Sequence, residues 1–130
     1  EIVLWAAKND KSKHYFDYQR MKRMNQGKQM RNVWEISSPP AEEKKFGKHP
    51  TQKPVELLKR IVLASTKEGD LVLDPFCGSS TTGVAAVSLN RKYVGIDLEE
   101  EYLHLSKKRL EEAIMNKTAT IPALKKVASR

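Results

Sequence analysis

The feature that most constrains this chain is a short apolar strand that runs straight into a turn of glycine, serine and threonine. Residues 71–73 form the predicted strand, residues 74–83 read DPFCGSSTTG, and a helix of small residues is predicted over residues 82–89. Small residues in such a turn let the backbone approach a ligand closely, and the start of the following helix presents free N–H groups. The pattern therefore predicts a nucleotide-like ligand at the end of the strand.

An acidic residue strengthens this prediction. Asp97 ends the next predicted strand, 19 positions after Gly78. Doubly wound α/β folds place a carboxylate about 20 residues beyond the glycine turn, where it binds ribose hydroxyls. A glycine turn followed by a carboxylate at this spacing is more specific for a nucleotide-like ligand than a glycine-rich turn alone.

The residues of the turn discriminate between the ligands that bind at this corner of the fold. A phosphate-binding P-loop requires lysine directly after its second glycine, whereas Val84 follows Gly83. A dinucleotide motif requires three spaced glycines, and Ser80 occupies the position where the spacing requires the middle glycine. Asp74 would repel a pyrophosphate but suits the ammonium and sulfonium groups of S-adenosylmethionine. The turn therefore favours S-adenosylmethionine.

The order of predicted elements gives the fold class. Strands are predicted at residues 2–7, 33–36, 71–73 and 92–97, and helices at residues 54–65, 82–89 and 99–116. From residue 54 onward helices and strands alternate, which is typical of a doubly wound α/β sheet, and we expect the strand at 71–73 to be buried. A chain of 130 residues is about the length of one compact domain.

Positive charge is concentrated in the first half of the chain. The net charge is +8, and residues 1–60 contain 14 Lys and Arg against 7 Asp and Glu, whereas residues 61–130 contain 10 against 9. Within residues 8–31, cations alternate with aromatic and methionine side chains. This composition suits either a nucleic-acid-facing loop or a surface segment with a few core residues of its own.

Several protein classes are excluded by composition. Cys77 is the only cysteine, which excludes an internal disulfide framework and a cysteine-based zinc cage, and we interpret it as a small packing residue. No apolar run approaches the roughly 20 residues needed to span a bilayer, and the amino terminus lacks a signal pattern. We therefore expect a soluble protein of the cytoplasm.

Two blocks resemble a known family of enzymes. Residues 74–83 resemble the cofactor motif of bacterial DNA amino-methyltransferases of restriction-modification type, and residues 49–54, HPTQKP, resemble the block that precedes it in their beta class. The order of the blocks, joined by one helix, is that of the class, and the resemblance covers residues 32–110. Ser80 departs from the family's usual glycine. The resemblance implies a doubly wound, Rossmann-like S-adenosylmethionine-dependent methyltransferase fold, here incomplete.

The resemblance also implies a cofactor site. Residues on the turn would line the amino-acid side of the cofactor, Asp97 would hold its ribose, and residues 51–54 would close over the methionine moiety. The predicted cofactor-binding residues are Thr51, Gln52, Lys53, Pro54, Asp74, Phe76, Gly78, Ser79, Thr81 and Asp97. Three of these have alternative structural interpretations: Thr51 as a helix cap, Pro54 as a helix start and Asp97 as a strand-end cap.

The tetrapeptide that holds the target base in this family, Asp/Asn/Ser-Pro-Pro-aromatic, is not found in the sequence. Residues 38–40 read SPP, but Ala41 follows instead of an aromatic residue, and in this class the tetrapeptide lies upstream of the target-recognition region. The first residues, EIVLW, also read like the interior of a strand. We therefore predict no catalytic residue here and expect the chain to be the carboxy-terminal part of a longer enzyme.

Three regions are expected. Residues 1–48 would hold a strand and a basic segment bordering the target-recognition region, residues 49–116 the cofactor-binding core, and residues 117–130 a flexible tail. Candidate contacts to DNA are Lys22, Arg23, Lys28 and Arg31.

The predicted function is transfer of a methyl group from S-adenosylmethionine to an exocyclic base amine, with adenine N6 favoured over cytosine N4. The expected partners are double-stranded DNA with a flipped target base, and either a second copy in a homodimer or a missing amino-terminal segment. The expected location is the cytoplasm, in association with the nucleoid. Two alternatives stay open: a noncatalytic cofactor- or DNA-binding remnant that needs a partner chain, and a methyltransferase acting on RNA or a small molecule.

Overall fold

The computed structural model describes residues 1–120, with side chains to residue 118. Its elements in chain order are α1 Tyr18–Met24, a one-turn 3₁₀ helix Ala41–Lys44, α2 Val55–Ser65, β1 Leu71–Asp74, α3 Thr81–Ser88, β2 Lys92–Gly95 and α4 Glu100–Thr120. The last helix ends four residues later than predicted. The rest of the predicted flexible tail, residues 121–130, lies outside the described residues.

β1 and β2 form a parallel pair in which Leu71 lies opposite Lys92 and Asp74 opposite Gly95. The connection between them contains α3, which packs against both strands and against α2 and α4. This is a β-α-β unit with helices beside it, and the predicted α/β fold is confirmed as a partial one with a short parallel sheet.

Small residues allow α3 to lie close to β2. Ala85 and Ala86 are fully buried. Gly83 faces the aromatic ring of Tyr93, and a Cβ at Gly83 would lie 2.7 Å from the Cδ1 and Cζ atoms of that ring. Only glycine leaves room for the ring, so the small-residue character of α3 reflects close helix–strand packing.

Polar contacts fix both ends of α2. Pro54 is the N-cap residue, and the free backbone N–H of Val55 donates a 3.0 Å hydrogen bond to Glu43 Oε2. At the other end Arg91, which is 6% exposed, donates to the hydroxyl and the carbonyl oxygen of Thr66 at 2.9 and 2.7 Å. Because Arg91 immediately precedes β2, these bonds join the end of α2 to the start of that strand.

Two predicted strands are wrong. Residues 2–7 and 33–36 form no strand, because in the described part of the chain no other strand pairs with them. The predicted burial of residues 71–73 is also wrong, since Leu71 and Leu73 are 62% and 60% exposed. Together with Val94 and Ile96 they form an uncovered sheet face, whereas parallel strands usually have both faces covered.

Helix α1 lies in the basic segment, where the sequence predicted no element. Its N-cap residue is Asp17, whose Oδ1 accepts a 2.9 Å hydrogen bond from the Arg20 N–H. The Asp17 N–H in turn donates to the carbonyl oxygen of Ala64 at 2.8 Å, and Met21 is 1% exposed. The hydrogen bond from Asp17 to Ala64 and the buried side chain of Met21 therefore hold α1 against α2. Within residues 1–120, no helix has both the length and the apolarity needed to cross a bilayer.

Candidate cofactor site

The turn after β1 contains two residues with left-handed backbone conformation. Gly78 has φ +49°, and a Cβ there would lie 2.8 Å from His49 Nε2. Ser80 has φ +52° and is 1% exposed, and its hydroxyl lies 3.1 Å from the Tyr93 hydroxyl. A left-handed conformation costs a non-glycine residue about 1–2 kcal/mol, which the buried hydrogen bond offsets in part. The structure thus accommodates serine where the family usually has glycine.

A cavity of about 170 Å³ lies between this turn and residues 49–53. Eight of the ten predicted cofactor-binding residues line it: Thr51, Gln52, Lys53, Asp74, Phe76, Gly78, Ser79 and Thr81. The other lining residues are His49, Leu58, Cys77 and Thr82. Pockets that enclose most of a drug-sized ligand measure about 300–1,000 Å³. The cavity therefore fits the amino-acid end of S-adenosylmethionine better than the whole molecule.

A larger groove of about 620 Å³ lies elsewhere, between α2, α3 and α4. It is lined by charged residues of both signs, such as Glu42, Lys59 and Glu112, and by none of the predicted cofactor-binding residues. Size alone would favour the groove. The smaller cavity is the better candidate because the glycine turn and Asp74 both line it.

Gln52 supplies an unpaired acceptor at the cavity. The residue is 9% exposed, and its Nε2 donates a 2.8 Å hydrogen bond to the carbonyl oxygen of Glu43. This bond fixes the orientation of the amide, so that Oε1 is the acceptor end, and Oε1 is buried without a hydrogen-bond partner. Buried polar atoms are rarely left unpaired in native proteins. The amide of Gln52 is therefore held at its nitrogen end, while its oxygen end is a buried acceptor without a partner in the described chain.

Asp97 does not line the cavity but is bonded to the turn. Its Oδ2 accepts a 2.7 Å hydrogen bond from the Gly78 N–H, and its Oδ1 accepts a 3.0 Å bond from the Glu99 N–H. These backbone donors, Glu99 first and Gly78 second, lower the pKa of the Asp97 carboxyl below its usual value. Each carboxylate oxygen keeps a second lone pair. The side chain therefore caps a strand end and retains acceptor capacity for a ribose hydroxyl.

Pro54 also does not line the cavity. It occupies the N-cap position of α2, with φ −67° and ψ 138°, directly after the cavity residues 51–53. Its place agrees with the alternative interpretation of this residue as a helix start. Thr51, by contrast, lies at the cavity and caps no described helix.

Three residues around the turn were absent from the predicted site. His49 covers Gly78 with its ring, which lies 4.2 Å from the ring of Tyr102 between centroids. Ser106 and Arg109 on α4 hydrogen-bond to the turn. His49 could have been found because it begins the HPTQKP block. The two α4 residues carry no local signal, since 28 to 30 positions separate them from their partners.

The four candidate DNA contacts lie on α1 and the segment after it. Arg23, Lys28 and Arg31 are exposed, and Lys22 is half-buried with its Nζ 5.7 Å from the centre of the Tyr18 ring. Within residues 1–120, none of these four cations forms a salt bridge. Their charges are thus not neutralised by a carboxylate of the described chain.

The Ser-Pro-Pro sequence at residues 38–40 does not contribute to the cavity beside the cofactor turn. None of its residues lines the cavity, and Ala41 begins the 3₁₀ helix. This placement agrees with the sequence-based rejection of the segment as a base-holding tetrapeptide.

Comparisons with known proteins place the chain among DNA-modifying enzymes. The sequence profile of the DNA methylase family matches residues 1–108. The Type II methyltransferase M2.DpnII of Streptococcus pneumoniae is 60% identical over 112 residues, which are 85% of this chain and 42% of the relative. The chain therefore spans about two fifths of that relative's length.

Solved structures agree with the sequence relatives. The M1.HpyAVI–SAM complex aligns with a TM-score of 0.60 and 38% identity, over 77% of this chain and 45% of that one. The cytosine-N4-specific PvuII DNA methyltransferase aligns with a TM-score of 0.63 and 26% identity, over 81% of this chain and 41% of that one. Both similarities extend well beyond the two sequence blocks.

Proposed function

The chain belongs to the DNA methylase family, and from that premise we propose that it carries the S-adenosylmethionine-binding part of a DNA amino-methyltransferase. The proposed reaction moves a methyl group to an exocyclic base amine, with adenine N6 favoured over cytosine N4. The observation that carries the proposal is the cavity in which the glycine turn, Asp74 and residues 51–53 meet. When bound, S-adenosylmethionine supplies an electrophilic methyl group on its sulfonium.

The residues of the cavity have complementary roles in this proposal. The carboxylate of Asp74 accepts from the cofactor's ammonium group, while the hydroxyls of Ser79 and Thr81 donate to the cofactor's carboxylate. The remaining members of the site are positioned around these groups. Phe76, which is 89% exposed, offers its ring to the adenosine side, and Asp97 accepts from the ribose. Thr51, Lys53 and Pro54 close the methionine end.

The proposal requires double-stranded DNA whose target base is flipped out, because the amine is otherwise held in base pairing and stacking. Lys22, Arg23, Lys28 and Arg31 would contact the DNA, and this is supported by the exposure of the last three and by the absence of a salt bridge to any of the four in residues 1–120. The base-holding group would come from an amino-terminal segment or from the partner in a homodimer. The proposed location is the cytoplasm, at the nucleoid.

Binding of the cofactor is the first test. Isothermal titration of the full chain with S-adenosylmethionine should give one site per chain, and Asp74→Asn should weaken binding by about tenfold because it removes a charged acceptor. Asp70→Asn is the matched control, since Asp70 accepts from the Lys67 N–H at 2.8 Å outside the cavity. Unchanged affinity in Asp74→Asn would refute the assignment of the cavity.

Methyl transfer is the second test. The full chain is incubated with labelled S-adenosylmethionine and unmethylated genomic DNA, and the DNA is then digested to nucleosides and separated. We expect cofactor binding without transfer, because no base-holding tetrapeptide is found in the sequence. Label in N6-methyladenine or N4-methylcytosine would identify the base and show that a base-holding site exists in this chain. In a parallel reaction with total RNA in place of DNA, label in the RNA and none in the DNA would refute the DNA assignment.

A further inference from the structure

Helix α4 holds the cofactor turn through two side chains. The Ser106 hydroxyl donates a 2.7 Å hydrogen bond to the carbonyl oxygen of Gly78. Arg109 Nη1 donates to three acceptors: the carbonyl oxygen of Ser79 at 2.6 Å, the Ser79 hydroxyl at 2.9 Å and the Thr81 hydroxyl at 3.0 Å. One guanidinium nitrogen thus joins three oxygens of the turn.

The chemistry of the guanidinium fixes the direction of these bonds. Arginine only donates, so both hydroxyl oxygens must use a lone pair to accept from Arg109. The hydroxyl hydrogens of Ser79 and Thr81 are then free to donate elsewhere. The two oxygens are 3.5 Å apart, at the limit of a hydrogen bond to each other, and both residues line the cavity. The arrangement therefore leaves hydroxyl donors on two residues that line the cavity.

Arg109 is a buried cation whose charge is partly compensated by the carboxylates of Glu43 and Glu112. Arg109 is 5% exposed, and burial lowers the pKa of its guanidinium, although arginine starts high enough to stay charged at neutral pH. A buried cation is costly unless its partners compensate, and an apolar side chain often fills such a place equally well. Lys107 and Lys108, the neighbouring cations of α4, are exposed. Arg109 is thus the cation that α4 directs to the turn.

We propose that Arg109 is a positioning residue for the cofactor's amino-acid carboxylate: it holds Ser79 and Thr81 so that their hydroxyl hydrogens point at that carboxylate. The inference rests on the proposed function, because it assigns the bound carboxylate to S-adenosylmethionine. Arg109 itself does not touch the ligand. Its effect is carried by the two hydroxyls and by the fixed backbone of the turn.

The test compares two ligands that differ in the amino-acid part. S-adenosylmethionine carries the carboxylate, whereas 5′-methylthioadenosine has the same nucleoside and sulfur without the amino acid. Isothermal titration of the full chain is carried out with Arg109→Met, Arg109→Lys and the control Lys108→Met, an exposed cation on the same helix. We expect Arg109→Met to bind S-adenosylmethionine about tenfold or more weakly, and 5′-methylthioadenosine as the parent does.

The conservative variant and the control sharpen the result. Arg109→Lys keeps a donor cation and should recover part of the affinity for S-adenosylmethionine, and Lys108→Met should bind both ligands as the parent does. Equal losses for both ligands in Arg109→Met and Arg109→Lys would overturn the inference and indicate a general structural role. Unchanged binding in Arg109→Met would overturn it as well. If the parent chain binds neither ligand, the proposed function itself fails, which is a separate outcome.

Discussion

Replacing Gly83 by alanine tests the contact that sets the distance between α3 and β2. The added Cβ would lie 2.7 Å from Cδ1 and Cζ of Tyr93, about 1 Å inside the optimal carbon–carbon separation of roughly 3.5–4.0 Å. The hydrogen bond of its hydroxyl to Ser80 opposes retreat of the ring, which also packs so closely on Gly95 that a Cβ added there would lie 2.9 Å from Cζ. Overpacking costs about 1–3 kcal/mol or more, and alanine recovers about 1 kcal/mol of helix propensity. Because the contact is so close, we take the upper end of that range, about 3 kcal/mol, and expect Gly83→Ala to lower the free energy of unfolding by about 2 kcal/mol.

A double-mutant cycle separates the clash from the helix propensity. Urea unfolding followed by circular dichroism measures Gly83→Ala in the parent and in Tyr93→Val, which removes the ring. Without the ring, alanine at position 83 should stabilise the chain by up to about 1 kcal/mol, so the sign of the effect reverses. Gly69→Ala is the control: its Cβ would meet nothing within 4 Å, and only the φ of +85° opposes it. An equal loss in both backgrounds would refute the steric argument.

Three further substitutions test contacts that support the site. Ser80→Gly should be about 1 kcal/mol more stable than Ser80→Ala, because both lose the hydroxyl but only alanine keeps the left-handed strain; thermal unfolding of the two variants measures the difference. Asp97→Asn should destabilise the chain at pH 7. Because the pKa of Asp97 is lowered, its carboxylate stabilises the fold above about pH 4, and this stabilisation is lost as the pH falls through the folded-state pKa. The unfolding curves of Asp97→Asn and the parent should therefore converge in acid. Arg91→Met should cost about 2–3 kcal/mol in urea unfolding, because it removes two hydrogen bonds from a charged donor to the half-buried Thr66, and equal stability would contradict that role.

The part of the fold that local patterns determine could be predicted from the sequence. The apolar residues of α2 recur at helical spacing. The strand, glycine turn and small-residue helix at residues 71–89, together with the next predicted strand at 92–97, define one β-α-β unit. The elements and their order there agree with the structure to within one or two residues. The eight residues around the cavity were grouped by the resemblance and lie together in the structure.

The rest depends on contacts that are distant in sequence. A strand forms only where another strand accepts its hydrogen bonds, so the apolar character of residues 2–7 was insufficient to make one. Helix α1 is held by a cap and by Met21 against α2, and neither gives a periodic pattern. Arg109 and Ser106 contact the turn across 28 to 30 positions, and in the sequence Arg109 is one of three adjacent cations on α4.

The uncovered sheet face leaves apolar surface whose burial would stabilise the chain. Leu71, Leu73, Val94 and Ile96 are 43 to 62% exposed, and burying the remaining part of each contributes about 1 kcal/mol. The sum approaches the lower end of the 5–15 kcal/mol by which whole domains are stable. Whatever covers this face therefore supplies a large share of the stability, and the melting temperature should rise with the concentration of the covering surface. The chain would gain this part of its stability only when another surface covers the exposed strands.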